Sequence, residues 1–444
     1  MLVIISDLHL NDGTVCKQTT SGAAEIFFME LEDQINAAGH RADGTYIPVT
    51  SIDIVLNGDI FDFIRSDKWL FDDNRNPRKI RPWDKVEKYA PIVEQICADI
   101  IRNNAQFLNL FKTAATQGIT IRNPDGTSYV CAVNFHYLVG NHDWMPYVES
   151  HHLNATRSML INALGLTQQK FPWKITEWND DASRLHDICV AHRVYVQHGD
   201  EYDEFNYHKS IGRDGASLGD AIVIELINKF PEEVKRRIYK KNPNAVLPPE
   251  FLQALEELDN VRPSTHTVIF LRMVIDKLTP KEYRKIVKEV FYECSKSIAD
   301  SAIFKRVRGI HWQSTSKLRA LNFASQFSPT CIVRIVTQFV ESMRSSYESA
   351  AAKEAYIKND MCDYVVYGHT HDLAVEGIDL DKNKLPKVYI NSATWRPVHK
   401  EINPEHKPEG FPYFTQQTMT WVAFFKEGER KGRKYEIWSG KLGE

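Results

Sequence analysis

The chain has 444 residues, 43% hydrophobic and 25% charged, with a net charge of −3 at pH 7. This is the composition of a soluble globular protein, not of a disordered or low-complexity chain, and its balanced charge gives no global bias toward nucleic acid or anionic membrane. No apolar run is long enough to span a bilayer, and the length suggests a core with additions.

Leu2-Val3-Ile4-Ile5-Ser6 is apolar and β-branched, which predicts a fully buried strand. It starts so early that no targeting peptide is expected before it. Seven dispersed cysteines without a C-x-x-C pair fit a reducing compartment, so the expected location is cytoplasmic. Asp7 and His9 follow the strand at i and i+2, a spacing that in extended backbone puts both side chains on one face. A helix is predicted over residues 23–38. A second buried strand, residues 52–57, ends in Gly58-Asp59. Residues 64–82, rich in Asp, Arg and Pro, read as a rim loop. Residues 85–116 read as one or two helices with Ile92, Val93, Ile96 and Ile100 on one face. Asn123-Pro124-Asp125-Gly126 predicts a hairpin turn between residues 119–122 and 129–132. Residues 135–139 form a third strand and deliver Gly140-Asn141-His142-Asp143, and residues 194–197 lead into His198-Gly199-Asp200.

Residues 204–350 are far longer than a simple connection needs and read as a helical insertion, a cap. Helices are expected over 221–230 and 232–241, broken by Pro231, then over 249–258, 268–278, 281–298 and 331–350. Lys235-Arg236-Arg237 and Lys240-Lys241 lie beside the apolar face Ala221, Ile224, Leu226, Ile227 and Phe230. Two readings stand: a packed helix with a solvated basic face, or a lid that attracts a phosphorylated substrate or touches anionic lipid. Beyond the insertion, residues 363–367 deliver Gly368-His369-Thr370-His371, Tyr389-Ile390-Asn391-Ser392 forms another strand end, and residues 418–426 and 434–439 bracket a charged hairpin loop. His151, His152, His186, His192, His208, His266 and His311 have no ligand partner at a telling spacing.

Five motifs thus end five strands, the end where open α/β sheets place ligands. Their carboxylate, amide and imidazole donors favour Mn²⁺, Fe²⁺ or Zn²⁺ over Ca²⁺. In this order Asp7-Leu8-His9, Gly58-Asp59, Gly140-Asn141-His142-Asp143, His198 and Gly368-His369-Thr370-His371 resemble the calcineurin-like metallophosphoesterase superfamily. The resemblance covers roughly residues 1–200 and 360–400. It implies an α+β fold, a four-layer α/β/β/α sandwich of residues 1–203 and 351–444, with the helical cap inserted. It implies one divalent metal on Asp7, His9, Asp59 and His371 and a second on Asp59, Asn141, His198 and His369, most plainly Mn²⁺.

A water bridging two such cations would lose its proton near neutral pH and attack phosphorus in line. By the same resemblance His142 lies over the scissile phosphate; Asp143 follows it immediately and is placed to accept a hydrogen bond from its ring, and Asp62, Asp200 and, by resemblance, Asn391 are outer candidates that orient ligands. The expected function is hydrolysis of a phosphoester or phosphoanhydride in a small-molecule substrate, nucleotide- or lipid-linked. A nuclease and a catalytically silent scaffold remain as alternatives. The pieces look most like the branch that contains UDP-2,3-diacylglucosamine pyrophosphatase, with two departures: His142 stands where that branch has Arg, and the cap is longer.

Overall fold

The computed structural model describes residues 1–17, 19, 21–166, 184–262, 266–300, 303, 347–402 and 410–442. The first half of the chain supplies strands β1 (Leu2–Ile5), β2 (Ser51–Asn57), β3 (Ile119–Arg122), β4 (Ser128–Leu138), β5 (Val194–Val196) and β6 (Val261–Arg262). The second half supplies β7 (Tyr364–Tyr367), β8 (Leu373–Leu380), β9 (Pro386–Ser392), β10 (Pro397–Glu401), β11 (Tyr413–Phe424) and β12 (Tyr435–Leu442). The larger sheet runs β3-β4-β2-β1-β11-β10-β6, with β12 also on β11; the smaller runs β5-β7-β9-β8.

Two cores explain why the central strands are apolar at every position. Side chains alternate across a strand, so Val3 and Ile5 of β1 enter one core while Leu2 and Ile4 enter the other. Trp421 and Ala423 of β11 divide from Val422 and Phe424 in the same way. The first core lies between the larger sheet and helices α1 (Ser21–Ala38), α2 (Val86–Asn103), α3 (Ala105–Gln117) and α4 (Asn154–Leu164), filled by Phe27, Ile96, Phe111 and Leu160. The second joins the two sheets, where Leu2, Ile4 and Val55 meet Val196, Val365 and Val366. The molecule is therefore mixed α+β, with two sheets sharing a core and helices packed outside.

The parallel set β1, β2 and β4 and the parallel set β5, β7 and β9 direct their carboxyl ends into the connecting segments that hold all five motifs. The hairpin before the third motif is longer than expected: β4 is one strand from Ser128 to Leu138, so hairpin arm and motif strand are continuous.

Helix α5 (Arg184–Ala191) precedes β5, and the insertion follows with α6 (Leu218–Ile222), α7 (Lys229–Lys241), α8 (Pro249–Glu256), α9 (Thr267–Met273) and α10 (Arg284–Asp300). These helices gather a third core, with Phe230, Val234, Phe251, Leu255, Phe270, Val274 and Val287, which Tyr413 of β11 also enters. Pro231 does not break the first of them. Helical backbone continues from α6 through a π-helical stretch, Val223–Asn228, into α7. Pro231 has no N–H to offer the preceding turn, and the wider π spacing just upstream accommodates it. The apolar face Ala221, Ile224, Ile227 and Phe230 is buried, while Lys235 pairs with Glu232 and Glu256, Arg236 with Glu233 and Arg237 with Glu293. The insertion also contributes a strand: β6 lies parallel to β10, with Val261 opposite His399 and Arg262 opposite Lys400. The helix expected over 331–350 falls mostly outside the described residues, as do Pro263, His311, Pro329 and Cys331. Among the described residues no helix is long and apolar enough to cross a membrane, and six cysteines are free and buried.

Candidate metal centre

The loops after the strands do not run extended. Asp7, His9, Asp59, His369 and His371 have φ of 52°, 49°, 52°, 69° and 63°. Asp7 and His9 converge because each stands in a left-handed turn, and not through the extended alternation expected from their spacing. Such conformations cost about 1–3 kcal/mol each for a non-glycine residue and cluster at functional sites. Two glycines let the loops close on one another. A Cβ on Gly58 would overlap the His198 ring, and one on Gly140 would overlap the Asp59 carboxylate.

Ligand-type atoms converge in two groups sharing one residue. Asp7, His9, Asp59 and His371 form the first, and Asp59, His198 and His369 the second, with ligand atoms in each group within 4.8 Å of one another. In the first, His9 Nε2 and His371 Nε2 face each other at 3.0 Å, and Asp7 Oδ1 lies 3.2 Å from His371 Nε2. Asp59 Oδ2 lies 3.7 Å from His9 Nε2 and 3.3 Å from His198 Nε2, between the two groups. Asn141 Oδ1 belongs to the second, 3.3 Å from His198 Nε2 and 2.8 Å from His369 Nδ1. Two imidazole nitrogens cannot face each other at contact distance without a proton or a cation between them, so this donor set suits a metal ion.

Outer hydrogen bonds fix which nitrogen of each ring faces inward. His198 Nδ1 donates to the Asn57 carbonyl at 2.9 Å, leaving the Nε2 lone pair for the cluster. Asp62 holds two rings, His9 Nδ1 at 3.0 Å and His142 Nδ1 at 2.8 Å. His142 is thus partnered by Asp62 and not, as expected, by Asp143. Asp143 is turned into the loop, where its carboxylate accepts from Ile60 N (2.9 Å), Gly140 N (2.5 Å) and Tyr137 Oη (2.5 Å). Three donors at its own base outcompete a neighbouring ring. Asp200 likewise orients no histidine; it forms a two-pronged pair with Arg213 at 2.5 and 2.8 Å. Asn391 Nδ2 donates to the Gly368 carbonyl at 2.5 Å and so braces the turn under His369.

Two participants were not expected. Asp203 accepts from His369 Nε2 at 3.0 Å, fixing Nδ1 as the inward nitrogen. The acidic run that follows His198 was the available signal for it. Arg262, on β6 of the insertion, packs its Nη2 against His371 Nδ1. A guanidinium only donates, so His371 Nδ1 accepts and a neutral ring carries its proton on Nε2, toward Asp7. For His371 Nε2 to ligate a cation, Arg262 must release the ring.

Charge is mutually stabilised across the cluster. Burial raises the Asp7 carboxyl, but His198 foremost, then His371 and His9, overcome it and hold it well below the usual carboxylate range. Burial likewise raises the Asp59 carboxyl, and His198 first, then His142, overcome it and hold the group below the usual carboxylate range. His142 loses affinity for protons through burial yet is pushed up to about 9 by the carboxylates of Asp62 and Asp59. Burial lowers Arg262 below the ordinary guanidinium value, with Asp372 the largest opposing charge. These buried groups could hold a metal ion. No protein-family model and no curated protein matches the chain.

Proposed function

We propose that this chain is a metal-dependent hydrolase of phosphoester or phosphoanhydride bonds, of the calcineurin-like metallophosphoesterase type, with a four-layer α/β/β/α sandwich and a cap. The observation that carries the reading is Asp59, whose carboxylate stands between two groups of converging donors. Asp7, His9, Asp59 and His371 would hold one divalent cation, and Asp59, Asn141, His198 and His369 a second. So placed, two cations supply an activated water and neutralise phosphate charge.

The remaining work falls to the chain itself. His142 is cationic at neutral pH because Asp62 and Asp59 raise it, and Asp62 fixes Nδ1, so its Nε2 is the edge that protonates a leaving oxygen or stabilises charge there. Asp143 supports this indirectly, by holding the Gly140 and Ile60 amides and so the loop from which His142 projects. Asp203 and Asn57 hold the outer nitrogens of His369 and His198, so the inward nitrogens are the ones a cation would take. The substrate in this reading is a phosphorylated small molecule.

The test is Mn²⁺-dependent hydrolysis of bis(p-nitrophenyl) phosphate against p-nitrophenyl phosphate, with bound metal measured in parallel. Metal uptake with turnover that disappears in Asp59→Ala is the expected outcome, and the substrate ratio separates diesterase from monoesterase. A wild-type protein that takes up no divalent metal would overturn the reading.

A further inference from the structure

We infer that Arg262 and Arg396, at the seam between insertion and core, form an anion subsite beside the metal cluster. It receives a second anionic group of the substrate, next to the group being cleaved. That the anion belongs to a substrate rests on the hydrolase reading; the subsite itself rests on the seam's own geometry.

Three buried arginines meet there beside one carboxylate, Asp259, which pairs with Arg65 and Arg396. Arg65 Nε lies 3.5 Å and Arg396 Nη1 3.1 Å from Asp259 Oδ2. Arg65 also donates to Asn228 Oδ1 at 2.8 Å and to the carbonyls of Val15 and Glu256 at 3.3 and 2.5 Å, and its Nε has Asp259 as an ion-pair partner without a hydrogen bond. Arg262 has no carboxylate at all among the described residues. Its Nη1 donates only to the main-chain carbonyls of Asp259 (2.8 Å) and Val261 (2.9 Å), and its Nη2 to the His371 ring. Among the described residues no carboxylate pairs with it; Asp372 acts on it only through space. Among the described residues, Arg262 Nε and Arg396 Nη2 are buried N–H donors without an acceptor. A buried cation short of anions and buried donors short of acceptors are both costly, and one bound oxyanion relieves both.

The place of these donors says which anion they meet. Arg262 touches His371, a candidate ligand. Arg396 follows Thr394 and Trp395, whose Oγ1 and N–H both bond the Asp7 carbonyl, at 2.7 and 3.2 Å. An anion held by Arg262 therefore lies next to the cluster. Planar guanidiniums suit phosphate and carboxylate alike. Because Arg262 must leave His371 before that ring can ligate, the subsite also gives the displaced guanidinium a partner.

The experiment titrates chelator-treated protein, by calorimetry at low ionic strength, with inorganic phosphate and with acetate. The expected result is phosphate binding that weakens at least tenfold in Arg262→Met and in Arg396→Met, is largely kept in Arg262→Lys, and is unchanged in Asp59→Ala. Tighter acetate than phosphate would identify a carboxylate as the second group. Thermal unfolding of each variant shows whether it is folded. Wild-type protein that binds neither anion would overturn the subsite, as would folded Arg262→Met and Arg396→Met that bind like wild type. Failure of the hydrolase reading looks different: no metal uptake and no turnover, with anion binding intact.

Discussion

In the strand-end cluster each buried charge faces its opposite. Asp7, Asp59 and Asp62 lie among His9, His142 and His198, and the carboxyls fall while His142 and His198 rise. In the seam beside it, Arg65 and Arg396 divide a single carboxylate, Asp259, and Arg262 reaches only that residue's main-chain carbonyl. The cluster is delivered by five strand ends of two sheets that share a core, so its members are placed by backbone that the cores already fix. The seam draws on the rim loop, the insertion and the segment after β9, and its charges become neighbours only when the insertion has docked. Balanced charge thus comes with local construction, and excess charge with the joint between two bodies of structure.

The sharpest way to break the contrast is Asp59→Ala, which removes the residue common to both donor groups. Metal uptake and Mn²⁺-dependent hydrolysis should fall below detection while far-UV circular dichroism is unchanged. Next in size is Asp259→Ala, which strands Arg65 and Arg396 without a carboxylate. Breaking a buried pair from one side costs about 3–5 kcal/mol, read as a large drop in the denaturation midpoint. Burial opposes but Arg396 and Arg65 hold the Asp259 pKa far below its ordinary value, so its folded pKa is depressed. Its stabilisation is therefore complete above the unfolded carboxylate pKa of about 3.9 and is lost as the pH falls through that value and below. The gap between wild type and Asp259→Asn should shrink only in that acid window, measured by denaturation across pH.

Asp203→Ala tests the cluster more gently. The His369 ring loses its outer partner, and metal affinity should fall roughly 10–100-fold, read by competitive chelator titration. The smallest effect belongs to Arg75→Ala. Arg75 bridges the rim loop to Glu232 of the insertion at 3.0 Å, but its side chain is 56% exposed. Its loss should change stability by only about 0–1 kcal/mol. If it rivals Asp259→Ala, surface pairs and not the buried seam fasten the insertion.

The cluster was far more legible in the sequence than the seam. Apolar, β-branched runs that end in Asp, His or Gly-Asn-His mark both the strands and the side chains at their ends. Asp143 was misread because adjacency in sequence suggested contact with His142, whereas the turn sends its carboxylate back to the Gly140 and Ile60 amides. Asp62 was legible as a candidate, but its hold on two rings at once depends on how two strand ends face each other. Arg262 and Arg396 carried no signal. A two-residue strand has no periodicity to read, and the partners of Arg262 lie on a strand more than a hundred residues away. The unbroken helix through Pro231 was hidden for a related reason: a π turn is a response to packing, and no residue pattern announces it.

The left-handed backbone at Asp7, His9, Asp59, His369 and His371 also bears on how such a centre changes over generations. Asparagine, like aspartate and histidine, tolerates that conformation far better than alanine, valine or threonine. A drift from Asp to Asn at position 59 therefore removes the charge of the shared carboxylate, and one from His to Asn at 369 removes an imidazole donor, while each leaves the turn, the strand before it and both cores as they were. Lineages can retire the chemistry in single inexpensive steps and keep the shape for other uses, whereas replacements that disturb the turn are purged whether or not catalysis is still needed.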